Sequence, residues 1–187
     1  MTAVMKIPKQ AKKVFTGEIF DVYQWEQEMY DGSKATYEML DRDNTVEIIA
    51  TIDNKVVLIH EEQPTFEAKY GVVSGRQDDG ENPLDCAKRE LLEEAGLVSN
   101  DWEHWGNIEP FNKLDWIVSR YIARNCKKVS EQNLDPGEKI EVRPVDFDKF
   151  IEIALSDNFR STDVELSILR MKEKGKLKEF KQKLFPN

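Results

Sequence analysis

The segment from Asn82 to Gly96 constrains the fold of this chain more than any other part of the sequence. Asn82 is a favoured helix N-cap, Pro83 suits the first helical turn, and Gly96 is a typical C-terminal stop. The apolar residues between them recur at spacings of three and four, which predicts one buried face made of Leu84, Ala87, Leu91 and Ala95. We therefore expect a helix over Pro83–Ala95 that packs against a core.

Carboxylates crowd one side of this predicted helix. Glu90, Glu93 and Glu94 fall within an arc of roughly 100° beside the apolar face. Arg89 lies one turn before Glu93 and can orient its carboxylate. Clustered carboxylates repel one another, and a divalent cation offsets that repulsion because Mg²⁺ prefers hard oxygen ligands. The pattern therefore fits either a solvated acidic surface or a metal site.

The spacing around these carboxylates favours the metal site. Gly75 is followed after five residues by Glu81, and after seven more by Arg89-Glu90-Leu91-Leu92-Glu93-Glu94-Ala95-Gly96-Leu97. This matches every fixed position of the Nudix box, G-x5-E-x7-R-E-U-x-E-E-x-G-U, in which U is a bulky aliphatic residue. The chain thus resembles a Nudix hydrolase. Four other stretches look like the ADP-ribose and nucleotide-sugar pyrophosphatase branch of that family, namely Val14–Phe20, the hairpin at Asp31-Gly32, Val56–Gln63 and Asp135–Val142.

The resemblance implies an α+β fold, in which a Nudix-type α/β/α sandwich with a mixed sheet follows a β-rich N-terminal arm. It also implies hydrolysis of the pyrophosphate bond in ADP-ribose or a nucleotide sugar, giving a nucleoside monophosphate and a sugar phosphate. The implied cofactor is Mg²⁺ or Mn²⁺, with two or more ions per site. This agrees with the chemistry, because metals neutralise the pyrophosphate oxygens and acidify a water whose proton a base then takes.

The resemblance assigns roles to residues by their position. The implied metal ligands are the carbonyl of Gly75 and the carboxylates of Glu90, Glu93 and Glu94. The implied catalytic residues are Glu138, Glu93 and Arg89, with Arg89 orienting the carboxylates and Glu141 as the alternative to Glu138. Glu81 is expected to brace the loop before the helix. The implied substrate-binding residues are Tyr23 and Trp25 on the N-terminal arm, and Gln63.

The sequence departs from this branch at three places. The branch usually carries E-x-P-A-G into the box, whereas Tyr70–Gly75 lacks both the acid and the proline. A Q-x-R pattern would supply an arginine to the phosphates, but Gln63-Pro64-Thr65 has none. The branch often has a proline somewhat further past the box than Pro110, which lies thirteen residues after Leu97. These departures leave pyrophosphate hydrolysis intact and put ADP-ribose itself in question. A nucleoside triphosphate or RNA 5′ pyrophosphohydrolase is one alternative, and a non-catalytic nucleotide sensor is another, although the intact box favours an enzyme.

The chain is predicted to divide near residue 45. Residues 1–45 form a β arm, because strands at Ile19–Gln27 and Lys34–Leu40 flank the hairpin dipeptide Asp31-Gly32. Residues 46–187 form the hydrolase domain, which ends in one long basic helix over Asp163–Leu184. Because an isolated hairpin is only marginally stable, we expect the arm to pack on a partner in a homodimer.

Composition narrows the class of protein. A net charge of −9 disfavours nucleic-acid binding, since an acidic body repels phosphate backbones. No apolar run approaches the roughly 18 residues of a membrane span. Cys86 and Cys126 are too few for a disulfide scaffold and suit a reducing compartment. We expect a cytoplasmic protein that acts on a small nucleoside diphosphate substrate.

Overall fold

The computed structural model describes residues 6–186. Within this range, thirteen strands and four helices follow one another along the chain. Their bounds are β1 Lys12–Thr16, β2 Asp21–Glu28, β3 Lys34–Asp41, β4 Thr45–Ile52, β5 Lys55–Gln63, β6 Phe66–Gly71, β7 Val73–Arg76, α1 Pro83–Ala95, β8 Leu97–Val98, β9 Asp101–Ile108, β10 Leu114–Asp115, β11 Val118–Arg124, β12 Lys127–Lys128, β13 Lys139–Val145, α2 Phe147–Ala154, α3 Thr162–Glu173 and α4 Leu177–Leu184.

A seven-stranded mixed sheet forms the centre of the molecule. Its main path runs β13-β5-β4-β11-β9, with β6 paired to β5 and β7 paired to β4. The β4–β11 pair is parallel, and the other pairs of this sheet are antiparallel. β7 is short and lies alongside the first half of β4, where Gly75 is the register partner of Val46. This pairing fixes the backbone that leads into α1.

Alternation along the central strands divides the core into two layers. In β4, Val46 and Ile48 pack on α1, whereas Ile49 faces the layer formed by α2, α3 and α4. Side chains of a strand point alternately to the two faces of a sheet, so one apolar strand serves both layers. Helices therefore cover both faces of the sheet. The predicted α/β/α sandwich with a mixed sheet is confirmed.

The N-terminal strands form a second sheet. β1, β2 and β3 form an antiparallel meander, and β10 of the same chain adds to β3 in parallel. The side chains of Val14, Phe15 and Ile19 remain more than half exposed on this arm. The predicted β-rich arm is therefore present as a sheet of its own.

The long C-terminal helix predicted over Asp163–Leu184 is wrong. The structure has two helices there, α3 and α4, separated at Gly175, which adopts a left-handed φ of 66°. The Lys176 amide donates to the Met171 carbonyl, which closes the end of α3. The turn lets Phe180 and Leu184 of α4 return to the core layer that holds Ile168 of α3. Among the described helices, none combines the length and apolar character needed to cross a membrane.

Candidate active site

Helix α1 is fixed at both ends, and its predicted bounds of Pro83–Ala95 are confirmed. At its start, the side-chain oxygen of Asn82 accepts a hydrogen bond from the Leu84 amide at 2.9 Å. At its end, Gly96 has a φ of 67°, and a Cβ there would lie 2.2 Å from the Ser130 carbonyl oxygen. Only glycine meets both conditions without strain. The carboxylates on α1 are therefore carried on a rigid support.

The backbone of Gly75 lies directly against the carboxyl group of Glu90. A Cβ at Gly75 would lie 1.9 to 2.2 Å from the three atoms of the Glu90 carboxyl group. Any other residue at this position would displace that carboxyl. The Glu90 side chain is only 12% exposed as a result. Gly75 and Glu90 are thus in direct contact. The sequence predicts that both residues belong to one metal site, and their contact agrees with that expectation.

Arg89 connects the acidic residues of the loop and the helix. Its Nε and Nη2 donate to the two carboxylate oxygens of Glu81 at 3.0 and 2.9 Å. Its Nη1 donates to Glu90 at 2.7 Å and to Glu93 at 3.0 Å. Nη2 also donates to the carbonyl of Arg76 at 2.9 Å. One guanidinium therefore orients three carboxylates and ties β7 to α1, because its planar fork presents donors in fixed directions.

The protonation of these groups follows from their contacts. The hydrogen bonds from Arg89 lower the pKa of Glu81 to about 2. The same bond to Glu81, followed by those to Glu90 and Glu93, raises the pKa of Arg89. Glu81 is therefore a permanent carboxylate, and its placement matches the expected bracing of the loop. Glu90 behaves differently, since burial outweighs Arg89 and raises its pKa to about 7.

Glu94 is the most deeply buried acid of the helix, with 4% exposure. Its Oε2 accepts a hydrogen bond from the Ser74 amide at 3.2 Å. Burial raises its pKa well above the ordinary value, and the nearby charges of Glu90 and Glu61 add to this effect. Burial also raises the pKa of Glu138. Arg160 acts in the opposite direction on both groups, but burial outweighs it. Buried carboxylates whose pKa values are raised in this way are typical of functional sites.

A cleft of about 350 Å³ opens beside these groups. It is lined by four of the residues predicted from sequence, which are Gln63, Gly75, Glu94 and Glu138. Glu90 does not line the cleft itself, but its carboxyl group lies against Gly75, which does. Glu93 is about one-third exposed and is bound by Arg89. Glu141 faces elsewhere, since its exposed carboxylate pairs with Arg143 at 2.6 Å on β13.

The cleft also contains charged residues that the sequence analysis did not identify. Glu61 of β5 is 2% exposed at its side chain and pairs with Arg160, while Gln63 donates to Glu61 at 2.5 Å. Glu47 of β4 lines the same cleft with a buried Oε2 that has no hydrogen-bond partner among the described residues. Burial raises its pKa to about 7. The sequence signal for Glu61 was its place just after the apolar run Val56–Ile59 on the same strand, where a carboxylate is unusual.

The two predicted substrate residues of the arm lie outside this cleft. Tyr23 lines a second cavity of about 490 Å³, which is bounded by the arm and by the loop Gln77–Gly80. Trp25 packs against Tyr37 on the neighbouring strand, with ring centroids 5.8 Å apart, and its indole nitrogen donates to Gln27. The structure therefore separates Tyr23 and Trp25 from Gln63 within one chain.

The donor set of the cleft suits a hard divalent cation. Glu94, Glu138 and Glu61 contribute carboxylates, and Gly75 leaves space for the carboxyl of Glu90. Oxygen ligands of this kind are those that Mg²⁺ takes in proteins, usually together with substrate phosphates. Among residues 6–186, no three acidic, histidine or cysteine side chains converge closely enough to hold a metal by themselves. The arrangement can place a bound phosphate group and an attacking water beside several carboxylates.

Comparison with known proteins agrees with this geometry. The NUDIX domain model matches residues 41–165. The ADP-ribose pyrophosphatase of Bacillus subtilis (strain 168) is 24% identical over 171 residues, covering 87% of this chain and 91% of that protein. The methanol dehydrogenase activator of Bacillus methanolicus is also 24% identical, over 147 residues, covering 76% of this chain and 80% of that protein.

A solved structure shows the same architecture. The crystal structure of an ADP compounds hydrolase aligns with a TM-score of 0.73 at 21% identity. The alignment covers 90% of this chain and 95% of that one. At this identity the likeness concerns the fold, and the family assignment comes from the domain match, which spans most of the chain and includes the whole of the Gly75–Leu97 motif. The chain belongs to the Nudix family.

Proposed function

We propose that this protein hydrolyses the pyrophosphate bond of a nucleoside diphosphate joined to a sugar, of the ADP-ribose or nucleotide-sugar type. The products are a nucleoside monophosphate and a sugar phosphate. The observation that carries the proposal is the group of buried carboxylates, above all Glu94 and Glu61, around a cleft that Gly75 borders. The relative named as an ADP-ribose pyrophosphatase aligns along nearly the whole chain and supports this substrate class.

The proposed enzyme depends on Mg²⁺ or Mn²⁺, with two or more ions per site. The Gly75 carbonyl and the carboxylates of Glu90, Glu93 and Glu94 would hold them. When bound, the cations would neutralise the pyrophosphate oxygens and lower the pKa of a bound water. Arg89 keeps Glu90 and Glu93 in fixed orientations through its hydrogen bonds.

Glu138 is the proposed general base. It lines the cleft and sits in a turn in which its own amide donates to the Asp135 carbonyl at 2.9 Å. Its carboxylate in turn accepts from the Asp135 amide at 3.2 Å, in a partly exposed position. A base on a loop can approach the water once the substrate is bound. Gln63 is proposed to contact the substrate from the same cleft.

A substrate panel with Mg²⁺ tests the proposed reaction. We expect nucleoside monophosphate and sugar phosphate as products, identified by chromatography and mass spectrometry. Release of pyrophosphate or orthophosphate from nucleoside triphosphates or RNA 5′ ends would instead support a triphosphate pyrophosphohydrolase. Binding of nucleotides without any turnover would support a sensor. Omitting Mg²⁺ and Mn²⁺ is expected to abolish the reaction.

We further propose that residues 1–45 form a dimerisation arm on the hydrolase domain of residues 46–187. The exposed apolar side chains of Val14, Phe15 and Ile19 on this arm support a homodimer, because exposed apolar patches are often interaction sites. In a dimer, Tyr23 and Trp25 of one protomer can contribute to the nucleotide site of its partner. Cys86 and Cys126 are both free and buried, which supports a reducing compartment such as the cytoplasm.

A further inference from the structure

Arg160 is a cation fixed at the wall of the acidic cleft. It lies in the segment between α2 and α3, and this segment runs alongside β6 through a parallel bridge between Tyr70 and Phe159. The Arg160 amide donates to the Tyr70 carbonyl at 2.8 Å, and the Tyr70 amide donates to the Asn158 carbonyl at 2.9 Å. The Ser161 hydroxyl accepts from the Val72 amide at 3.2 Å. These bonds hold the backbone of Arg160 in place before any ligand arrives.

Gly71 provides the space for the Arg160 side chain. A Cβ at Gly71 would lie 3.0 Å from Nε and 3.1 Å from Cγ of Arg160, and 3.3 Å from the Ser161 hydroxyl. These contacts are tighter than ordinary van der Waals separations, so a Cβ at Gly71 would force the Arg160 side chain to shift by a few tenths of an ångström. Gly71 therefore leaves room for the Arg160 side chain in its observed position.

The guanidinium has hydrogen-bonding capacity that the protein does not use. Arg160 pairs with the buried carboxylate of Glu61 through Nη2, and its Nε has no partner among the described residues. Its side chain is 28% exposed, whereas Glu61 is 2% exposed. Nε is buried beside Gly71, but Nη1 makes no hydrogen bond among the described residues and is not buried, so Nη1 is the free donor on the open side of the pair. An arginine has five donors in a plane, which suits bidentate contact with phosphate oxygens. Glu61 then serves to orient the fork.

We propose that Arg160 binds the diphosphate of the substrate in this cleft, in a position that Gly71 makes available and that Glu61 orients. The inference rests on the proposed function, because it concerns the same cleft and the same substrate class. Arg160 adds a fixed positive charge, besides the proposed metal ions and the Arg42 and Arg76 side chains of the cleft lining, for a diphosphate among the acidic residues Glu47, Glu61, Glu94 and Glu138. Arg160 thereby becomes a residue that determines affinity for the phosphate portion of the substrate.

Calorimetric titration of the full-length protein with ADP and Mg²⁺ tests the inference separately from turnover. R160A is expected to weaken ADP binding by about tenfold or more, as loss of a charge-assisted contact does. R160K keeps the charge beside Glu61, and hence the fold, but loses the planar fork, so a smaller weakening is expected. R143A is the matched control, since Arg143 forms an exposed ion pair on β13 and its removal should leave affinity unchanged. Thermal melts verify the fold of each variant.

A double-mutant cycle tests the role of Gly71. G71A alone is expected to weaken ADP binding, while G71A added to R160A should have little further effect, because the side chain it displaces is already gone. Folded R160A and R160K that bind ADP like the wild type would overturn the inference, as would a wild type that binds no ADP. Loss of ADP binding in R160A from a protein that hydrolyses no nucleotide sugar would uphold the inference and refute the proposed function.

Discussion

At the scale of single residues, sequence reasoning found the acidic residues of the Gly75–Leu97 motif and, through the family resemblance, Gln63 and Glu138, but it missed Glu47, Glu61 and Arg160. Gly75, Arg89 and Glu94 lie within one motif, so their spacing alone predicted that they meet. Glu61 and Arg160 are 99 residues apart and come together only because the segment before α3 returns to β6. No local pattern encodes that pairing. The residues marked by the motif or by the family resemblance were therefore predictable, whereas the Glu61–Arg160 pair, which depends on tertiary packing, was not.

Glu94 provides the first test of the metal site. Glu94→Gln should lower kcat by orders of magnitude while the fold survives, because it removes a negative ligand and keeps the shape of the side chain. Without metal the variant should melt at or above the wild-type temperature, since a buried carboxylate is removed. Glu173→Gln, an exposed glutamate on α3, is the control. Retention of more than about a third of the wild-type kcat in Glu94→Gln would refute the assignment.

Glu138 and Glu141 form a natural pair for testing the general base. Glu138 lines the cleft, and Glu141 is engaged by Arg143 on an exposed face. Glu138→Gln should therefore lower kcat at least about tenfold, with substrate affinity nearly unchanged, whereas Glu141→Gln should have a smaller effect. Steady-state kinetics over a range of Mg²⁺ concentrations separates a base from a ligand, because excess metal rescues only a ligand variant. Greater damage from Glu141→Gln would place the base elsewhere.

Glu47 makes stability depend on pH. Burial, with a smaller effect from Asp163, raises its pKa to about 7, although Arg120 and Arg160 act in the opposite direction. A carboxyl whose folded pKa is raised stabilises the fold fully below its unfolded pKa of 4.5 and loses that contribution as pH rises through about 7. Glu47→Gln should flatten this part of the stability curve, by at most about 3 kcal/mol in urea unfolding. An unchanged curve would contradict the assignment.

At the scale of elements, the sequence located α1 to the residue and misjudged the C-terminal helices. The residues that cap α1, Asn82 and Gly96, flank the helix directly in the sequence, so both of its ends could be predicted. The break at Gly175 had a signal of the same kind, but the basic run on both sides suggested one continuous helix. β9, which pairs with β11, was not predicted, because the alternation in Asp101–Ile108 is weak and its partner lies ten residues further on.

The C-terminal end of α1 offers a test of how the element is held. The amides of Val129 and Asn133 donate to the carbonyls of Gly96 and Glu93, at 2.9 Å each. Gly96→Ala combines the cost of a left-handed backbone, about 1–2 kcal/mol, with a clash against the Ser130 carbonyl. Gly80→Ala is a matched control, with a φ of 75° and open space around the added Cβ. Gly96→Ala should therefore lower the free energy of unfolding more than Gly80→Ala does; equal losses would show that the clash is absorbed.

At the scale of the whole molecule, the chain combines a closed sandwich with an arm whose sheet is only partly covered. β10 contributes two residues to the arm sheet, and Lys6 donates from its backbone amide to Asp115 at 3.1 Å, so the arm is attached to its own domain. β1 nonetheless ends that sheet with one neighbour, β2. An edge strand that carries exposed apolar side chains is a surface that natural proteins usually cover.

This uncovered edge leads to a prediction about assembly. Val14 and Phe15 on β1 are 52% and 59% exposed, and a second copy of the chain packed on them would remove this apolar surface from water. Light scattering at micromolar protein should therefore give the mass of a dimer, and Phe15→Asp should shift it toward the monomer by placing a charge in the interface. Leu169→Asp is the control, since Leu169 is a 43% exposed apolar residue on α3 and not on the strands of the arm, and its change should leave the mass unaltered. If Tyr23 and Trp25 complete the partner's nucleotide site, the Phe15→Asp monomer should also show a raised KM with little change in the metal dependence of the reaction. A wild-type protein that scatters as a monomer would refute the dimer and, with it, the assignment of Tyr23 and Trp25 to the site.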